Sequence, residues 1–143
     1  MKALLLSAAL MLAALTTKTF AADVKVAPVV LQTFHSTFFN VSNVHWSKVD
    51  NLYKAEFDKD GEKTAAFFSI EDGTLVATAR YITVQDLPRA LRNSLKQQAA
   101  TASITELFEV QGSNDIDYYA TLQEAGKTIV LKAAAAKWNV YKK

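Results

Sequence analysis

Apolar and polar residues alternate along most of this chain. In Leu52–Asp58 the apolar residues take every second position and charged residues fill the others, which is the period of a half-buried strand. Asp60-Gly61 then predicts a hairpin turn, because glycine accepts the positive φ of tight turns. The same reasoning predicts eight strands, at Asn43–Lys48, Leu52–Asp58, Thr64–Ser69, Leu75–Ala79, Thr105–Gln111, Ile116–Gln123, Thr128–Lys132 and Trp138–Tyr141.

Two segments, Val26–Phe39 and Thr83–Gln98, change from this alternation to steps of three and four, which predicts helices. Asp86 is the expected N-cap of the second helix, and Pro88 suits its first turn. The predicted apolar stripes are Ala27, Leu31, Phe34 and Phe38 in the first helix and Leu87, Leu91 and Leu95 in the second. Ala133–Ala136 favours a third helix by composition, but the strand patterns on both sides favour a loose hairpin turn.

The order of elements is helix, four strands, helix, four strands. It predicts an α+β fold built from tandem duplicated units, each a helix packed on a four-stranded antiparallel meander. The expected repeats are residues 22–82 and 83–143, together forming one domain. Three identities at one spacing, Tyr53/Tyr118, Ala55/Ala120 and Gly61/Gly126, are the sequence support for duplication.

The first 21 residues have the pattern of a cleaved signal peptide. Lys2 provides a positive start, Ala3–Leu15 is apolar but too short to span a bilayer, and Thr19-Phe20-Ala21 offers small residues at the cleavage site. We expect the remaining protein, residues 22–143, to be periplasmic, with secretion as the alternative. The chain has no cysteine, so it can form no disulfide and carry no lipid on a cysteine.

Charge argues against nucleic acid as a partner. The chain has 16 Lys and Arg against 14 Asp and Glu, and two of the lysines, Lys2 and Lys18, lie in the predicted leader. The remaining chain therefore has no net charge to attract a polyanion.

Residues suited to catalysis or metal binding form no recognisable motif. The two histidines, His35 and His45, are too few for a zinc site. Asp58-Lys59-Asp60-Gly61 resembles the start of a calcium loop, but Ser69 stands where the loop needs glutamate. Nucleophile and phosphate-binding motifs are absent from the sequence. We therefore expect no enzyme activity, no cofactor and no metal.

Adjacent aromatic residues suggest a binding surface. Neighbouring strand residues face opposite sides, so one member of each pair, Phe67-Phe68 and Tyr118-Tyr119, must leave the helix-covered face. The candidate partner surface consists of Trp46, Phe67, Tyr119 and Trp138. The expected function is a non-catalytic module that binds a protein or peptide of the cell envelope. A structural alternative for these aromatic residues is that the second face is covered by the other half or by the termini. The alternative function is a small-ligand binder or an envelope housekeeping protein, with a pocket between helix and sheet or between the halves.

The order and spacing of several motifs resemble the exported PepSY-like proteins grouped as β-lactamase-inhibitor-like. These motifs are Asn43-Val44-x-Trp46-Ser47-Lys48, Tyr53-x-Ala55-x-Phe57, the Gly61 turn, Leu87-Pro88-x-Ala90-Leu91, Glu106, Val110 and Tyr118-x-x-x-Leu122-x-x-x-Gly126-Lys127. The resemblance covers Val24 to Tyr141. It implies helices laid on antiparallel sheet in a tandem arrangement. Inhibition of an envelope protein or peptidase is one form of the expected binding function. Ala133–Lys137 departs from the usual Asp-x-x-Gly turn.

Overall fold

Eight antiparallel strands form one continuous sheet in this computed structural model, which describes residues 24–143. Each strand pairs with the next one in the chain. The strands are β1 Val41–Val49, β2 Leu52–Lys59, β3 Glu62–Ser69, β4 Leu75–Tyr81, β5 Ser103–Gln111, β6 Ile116–Glu124, β7 Lys127–Ala134 and β8 Lys137–Lys142. All eight strand positions predicted by alternation are confirmed. The predicted leader lies outside the described residues.

The predicted fold class is wrong. We expected two helix-packed four-stranded units, but β4 pairs with β5 from Thr78 opposite Gln111 to Tyr81 opposite Phe108, which joins all strands into one sheet. The described chain is mostly strand, with two helices of ten residues each. Two separate units would leave β4 and β5 as open edges, and their pairing satisfies those backbone groups. The predicted boundary between residues 82 and 83 stays a prediction.

The two helices are shorter than predicted. α1 spans Pro28–Thr37 and α2 spans Arg89–Gln98. The expected N-cap of α2 belongs instead to a preceding 3₁₀ turn at Val84–Asp86, where the Asp86 carboxylate accepts hydrogen bonds from the backbone N–H and the hydroxyl of Thr83. Within residues 24–143, neither helix is long and apolar enough to cross a membrane. Ala135 and Ala136 form a turn, as the hairpin interpretation predicted.

Both helices cover the same face of the sheet. α1 buries Val30 and Phe34, whereas Leu31 of the predicted stripe is half-buried. On the sheet, Val30 and Phe34 pack against Tyr53, Ala55, Phe57, Ala66 and Phe68. Leu91 and Leu95 of α2, with Leu87 before it, pack on Leu107, Ala120, Leu122, Leu131, Ala133 and Trp138. The helices thus share one extended sheet, each over its own half.

The turn between β3 and β4 lies close to the first turn of α1. Gly73 has φ +73, and a Cβ at this position would come within 2.9 Å of Val29 Cγ1. Glycine is therefore needed here for the left-handed backbone and for the close approach of α1 to the sheet.

The opposite face, which we call the helix-free face, carries a third cluster of buried residues. Its members are Ala65, Phe67, Ala77, Ala79, Phe108, Val110 and Tyr119, all on β3 to β6. No helical residue of the described chain belongs to this cluster. Side chains of neighbouring strands therefore cover one another on this face.

Candidate functional site

The four residues predicted to form an exposed partner surface do not form one. Trp46 and Trp138 belong to the helix-covered clusters, and Phe67 and Tyr119 belong to the helix-free face. Trp46 is half-buried and the other three are buried. Alternation separated the two faces of β3 and β6 as expected, but it did not reveal that residues of the second face are buried as well. The expectation of an exposed aromatic patch at these positions is therefore corrected.

A buried ion pair lies on the helix-free face of β2. Lys54 is 2% exposed, and its Nζ is 3.0 Å from Glu56 Oε1. Burial lowers the pKa of Lys54, although the hydrogen bond and the negative charge of Glu56 oppose this effect. The sequence suggested that Lys54 faces solvent, because it occupies a polar position of an alternating strand. The structure shows that this position is buried, with Phe67 opposite it on β3.

The same face carries a second carboxylate at Glu106 of β5. Its Oε2 accepts a hydrogen bond of 3.1 Å from the Thr121 hydroxyl on β6. Burial raises the pKa of the Tyr81 phenol, and the charges of Glu106 and Glu56 raise it further. Tyr81 therefore lies in the field of carboxylates from two different strands and keeps its proton at neutral pH.

Aromatic rings continue across this face from β4 to β8. Ring centroids are 6.4 Å apart for Tyr81 and Phe108, 5.4 Å for the stacked rings of Phe108 and Tyr119, and 5.8 Å for Tyr119 and Tyr141. Such separations are typical of favourable ring pairs. The row ends at Tyr141, which is 38% exposed, so the aromatic surface reaches solvent near β8.

A second ion pair lies over this aromatic row. Lys132 Nζ is 3.1 Å from Asp117 Oδ2 and 5.5 Å from the centroid of the Tyr119 ring. Burial alone would lower the pKa of Lys132, but its hydrogen bonds to Tyr119 and Asp117 outweigh burial and raise it. Burial raises the pKa of Tyr119. The helix-free face thus combines aromatic rings with two ion-paired lysines, Lys54 and Lys132.

Comparison with solved structures identifies the fold. A protein of Bacteroides eggerthii, provisionally described as periplasmic, is similar with a TM-score of 0.74 and 15% identity over 83% of this chain and 88% of that one. A BLIP-like protein of Bacteroides fragilis has a TM-score of 0.69 and 13% identity over 85% and 86%. The chain has a BLIP-like fold.

A DUF2874 family protein of Bacteroides uniformis shares this BLIP-like fold, with a TM-score of 0.73 and 15% identity over 82% of this chain and 88% of that one. No protein-family profile matches the sequence, and no curated protein matches it either. At these identities the similarity concerns the fold alone. The PepSY resemblance stays a prediction.

The helix-covered side of the BLIP-like fold has an open groove of about 370 Å³ near the end of α1. Arg80 lies in it and pairs with Glu109 at 3.0 Å and with Glu62 at 3.2 Å. Hydrogen bonding to Glu109, more than to Glu62, raises the pKa of Arg80. The groove is lined by Phe38, Lys59, Asp60, Glu62, Thr64, Thr78 and Arg80. One apolar residue among seven is a poor match to the predominantly apolar lining of small-molecule sites.

The residues considered for metal binding are separate. His35 is exposed on α1 and His45 is exposed on β1. The side chains of the apparent calcium loop have other partners, since Asn43 Nδ2 donates to Asp58 and Lys59 Nζ donates to Asp60. Within residues 24–143, no group of three or more His, Cys, Asp and Glu side chains is placed to hold a metal ion.

The lowered pKa of Lys54 predicts a specific pH dependence of stability. Below the usual pKa of 10.5, the unfolded chain binds a proton that the folded protein holds less tightly, so the free energy of unfolding should rise as pH increases toward that value. Above about pH 10 the raised pKa values of Tyr81 and Tyr119 act in the opposite direction, because the folded state then retains the protons. Urea unfolding between about pH 7 and pH 9.5 isolates the lysine.

The Lys54→Met variant should lose this rise in stability with pH. Lys132→Met is the matched control, because the raised pKa of Lys132 affects stability only above the tested range, and it should keep the wild-type slope. Equal slopes in Lys54→Met and wild type would show that the folded protein does not disfavour the Lys54 charge.

Proposed function

We propose that the chain is a non-catalytic periplasmic binding module that holds a protein partner on its helix-free face. The observation that supports this proposal is the asymmetry of the sheet. One face lies under α1 and α2, whereas the other has no helical residue in its buried cluster and reaches solvent through Tyr141 and the Lys132–Asp117 ion pair. The exposed Tyr141 ring suits a contact, because aromatic rings bring a large area at a low cost in conformational entropy.

The paired charges favour binding rather than catalysis. A lysine with a lowered pKa is a candidate nucleophile, but Lys54 is buried and hydrogen-bonded to Glu56, so a substrate has little access to its amine. The phenols of Tyr81 and Tyr119 hold their protons more tightly than usual, which makes them poor bases at neutral pH. The partly exposed Lys132–Asp117 pair can instead contact polar groups of a partner without changing protonation.

Two independent observations support a periplasmic location. The first 21 residues have the pattern of a secretory signal, and a solved structure with the same fold is provisionally described as periplasmic. A BLIP-like protein also shares the fold. We therefore propose a protein partner in the envelope. Inhibition would follow where that partner is an enzyme or a peptidase and its active site meets the helix-free face.

The alternative, a small-ligand binder, has weaker support. It requires an apolar cavity with a few polar groups, whereas the groove near α1 is open and lined mainly by charged and polar side chains. We therefore favour the macromolecular partner.

Site-specific photo-crosslinking in cells that naturally produce the protein tests this proposal. A photoreactive amino acid is placed at His45 or Lys63, exposed residues whose side chains lie on the helix-free face of β1 and β3. We expect both positions to give an adduct with the same periplasmic protein, identified by mass spectrometry.

Asn93 and Lys96, exposed on α2, are the matched control positions. They should give little of this adduct at equal expression. Equal adduct yields from both sides of the protein would contradict a partner on the helix-free face. Folded and exported variants that give no adduct at His45 and Lys63 would contradict it as well.

A further inference from the structure

The strand order leaves β1 and β8 as the two edges of the sheet. In an antiparallel ladder, the N–H and C=O groups of one residue point to the same side. The Trp138 carbonyl accepts a hydrogen bond of 2.9 Å from the Gln98 side chain of α2, so Trp138 directs its backbone away from β7. The end of α2 therefore closes the first half of the β8 edge.

The second half of β8 is open. Val140 lies two residues beyond Trp138 and directs its backbone the same way, and its side chain is 54% exposed. Among the hydrogen bonds described for residues 24–143 outside the regular ladders, none uses Val140. Outward-facing N–H and C=O groups beside an exposed apolar side chain are the features on which an added strand builds.

The chain segment that forms this edge carries only positive charge. From Ala125 to the end the sequence contains five lysines and no aspartate or glutamate. Lys137 and Lys143 are exposed near the two ends of β8. Lys132, which faces the helix-free side of β7, is paired with Asp117, whereas no ion pair of the described chain involves Lys137 or Lys143. An extended strand with acidic side chains would complement the edge.

The same charges disfavour a second copy of the chain. Antiparallel pairing of β8 with β8 would bring lysines of both copies together, and β1 contains Lys48 but no acidic residue. Both edge strands are irregular: β1 has a bulge between Ser42 and His45, and the pairing of β8 with β7 shifts register between Val140 and Lys142. Lysines at sheet edges suppress self-pairing, whereas an oppositely charged strand is not repelled by them. The irregularity of β8 limits regular pairing of an added strand to the backbone groups of Val140.

We infer that the open half of β8 binds an acidic, extended segment of a partner protein, which adds to the sheet as a ninth strand. Backbone hydrogen bonds to Val140 supply the register, and the flanking lysines select acidic sequences. This site lies at the sheet edge and does not depend on the partner proposed for the helix-free face.

The test uses the full mature chain and a synthetic peptide of alternating Glu, Thr and Val residues. Binding is followed by NMR chemical shifts, and amide hydrogen exchange is measured at Val140. We expect saturable binding that protects the Val140 amide. A Lys137→Glu, Lys143→Glu double variant should weaken binding by about tenfold, whereas the charge-matched Lys63→Glu, Lys96→Glu variant, away from the edge, should bind like wild type. All four residues are exposed, so circular dichroism should show both variants folded.

Two peptide controls separate strand addition from charge attraction. The same peptide with alternate N-methylated amides keeps its charge but loses backbone hydrogen bonds, and it should not bind. Equal binding by this peptide, or by a lysine-containing counterpart, overturns the inference. So does the absence of binding at millimolar peptide.

The same experiment also distinguishes two other ligands of the β8 edge, an anionic lipid surface and a second copy of the chain. Vesicles containing phosphatidylglycerol, if they shift the β8 resonances when the acidic peptide does not, would assign the edge to an anionic lipid surface. Concentration-dependent dimerisation through β8 without peptide would assign it to a second copy. Either outcome overturns the inference and leaves the crosslinking test of the helix-free face unaffected.

Discussion

Replacing Phe34 with alanine should lower the free energy of unfolding by about 3–5 kcal/mol, the usual cost of removing a buried phenylalanine ring. Phe34 is 1% exposed and is the ring through which α1 packs on the sheet. Its ring centroid lies 5.2 Å from that of Trp46, 5.3 Å from Phe57 and 6.2 Å from Phe68, so the substitution removes contacts to three strands at once. Urea denaturation followed by circular dichroism measures the change.

Phe39 supplies the control for this substitution. It follows α1 in the chain and is 67% exposed, so Phe39→Ala should change stability by no more than about 0.5 kcal/mol. The role assigned to α1 would be wrong if both variants unfolded at the same urea concentration.

A Trp138→Ala substitution should cost a similar amount, about 3–5 kcal/mol. Trp138 is a buried residue of β8 that packs with Leu91 and Leu95 of α2. Its indole N–H donates a hydrogen bond of 2.9 Å to the Leu91 carbonyl. The substitution removes both the volume and this hydrogen bond, and therefore loosens the contact of α2 with the sheet edge. The measurement is again urea denaturation at neutral pH.

Two further variants resolve the contributions at this position. Trp138→Phe keeps a ring but loses the N–H donor, and it should have an intermediate effect that includes about 1 kcal/mol for the hydrogen bond. Val140→Ala changes an exposed residue of the same strand and should have little effect. If Trp138→Ala were as mild as Val140→Ala, the tryptophan would not anchor α2.

If α2 loosens, the first half of the β8 edge also opens, because Gln98 then no longer holds the Trp138 carbonyl. Relative to wild type, the Trp138→Ala substitution should therefore speed amide hydrogen exchange more along β8 than along the interior strand β3. The same contact thus contributes to stability and limits how much of the edge a partner strand can reach.

Local features of the sequence predicted the strands and their turns well. Asp60 and Gly61 both have positive φ, at 52° and 80°, as the Asp-Gly hairpin signal predicts. The helices were located correctly but predicted too long, because apolar spacing continues into residues that cap or precede them. Leu31 is an example of what apolar spacing does not predict. The predicted stripe included Leu31, but in the structure its neighbour Val30 is the buried residue.

The candidate site was predicted less well. Phe67 and Tyr119 lie on the face that the helices leave uncovered, as alternation requires, yet they are buried. Nothing in the sequence indicated that Lys54 is buried, because an alternating strand shows which side a residue faces and not whether that side is covered. One ion pair of this face, Lys132 with Asp117, also joins residues from different strands.

The sequence by itself determined where strands, turns and helices form, because these depend on residues a few positions apart. It also excluded disulfides, since the chain has no cysteine. Only the tertiary structure decided that β4 pairs with β5, which merges the expected two units into one sheet, and that Lys54 on the helix-free face is buried. Strand pairing and burial depend on contacts between residues far apart in the chain, and local periodicity does not specify these.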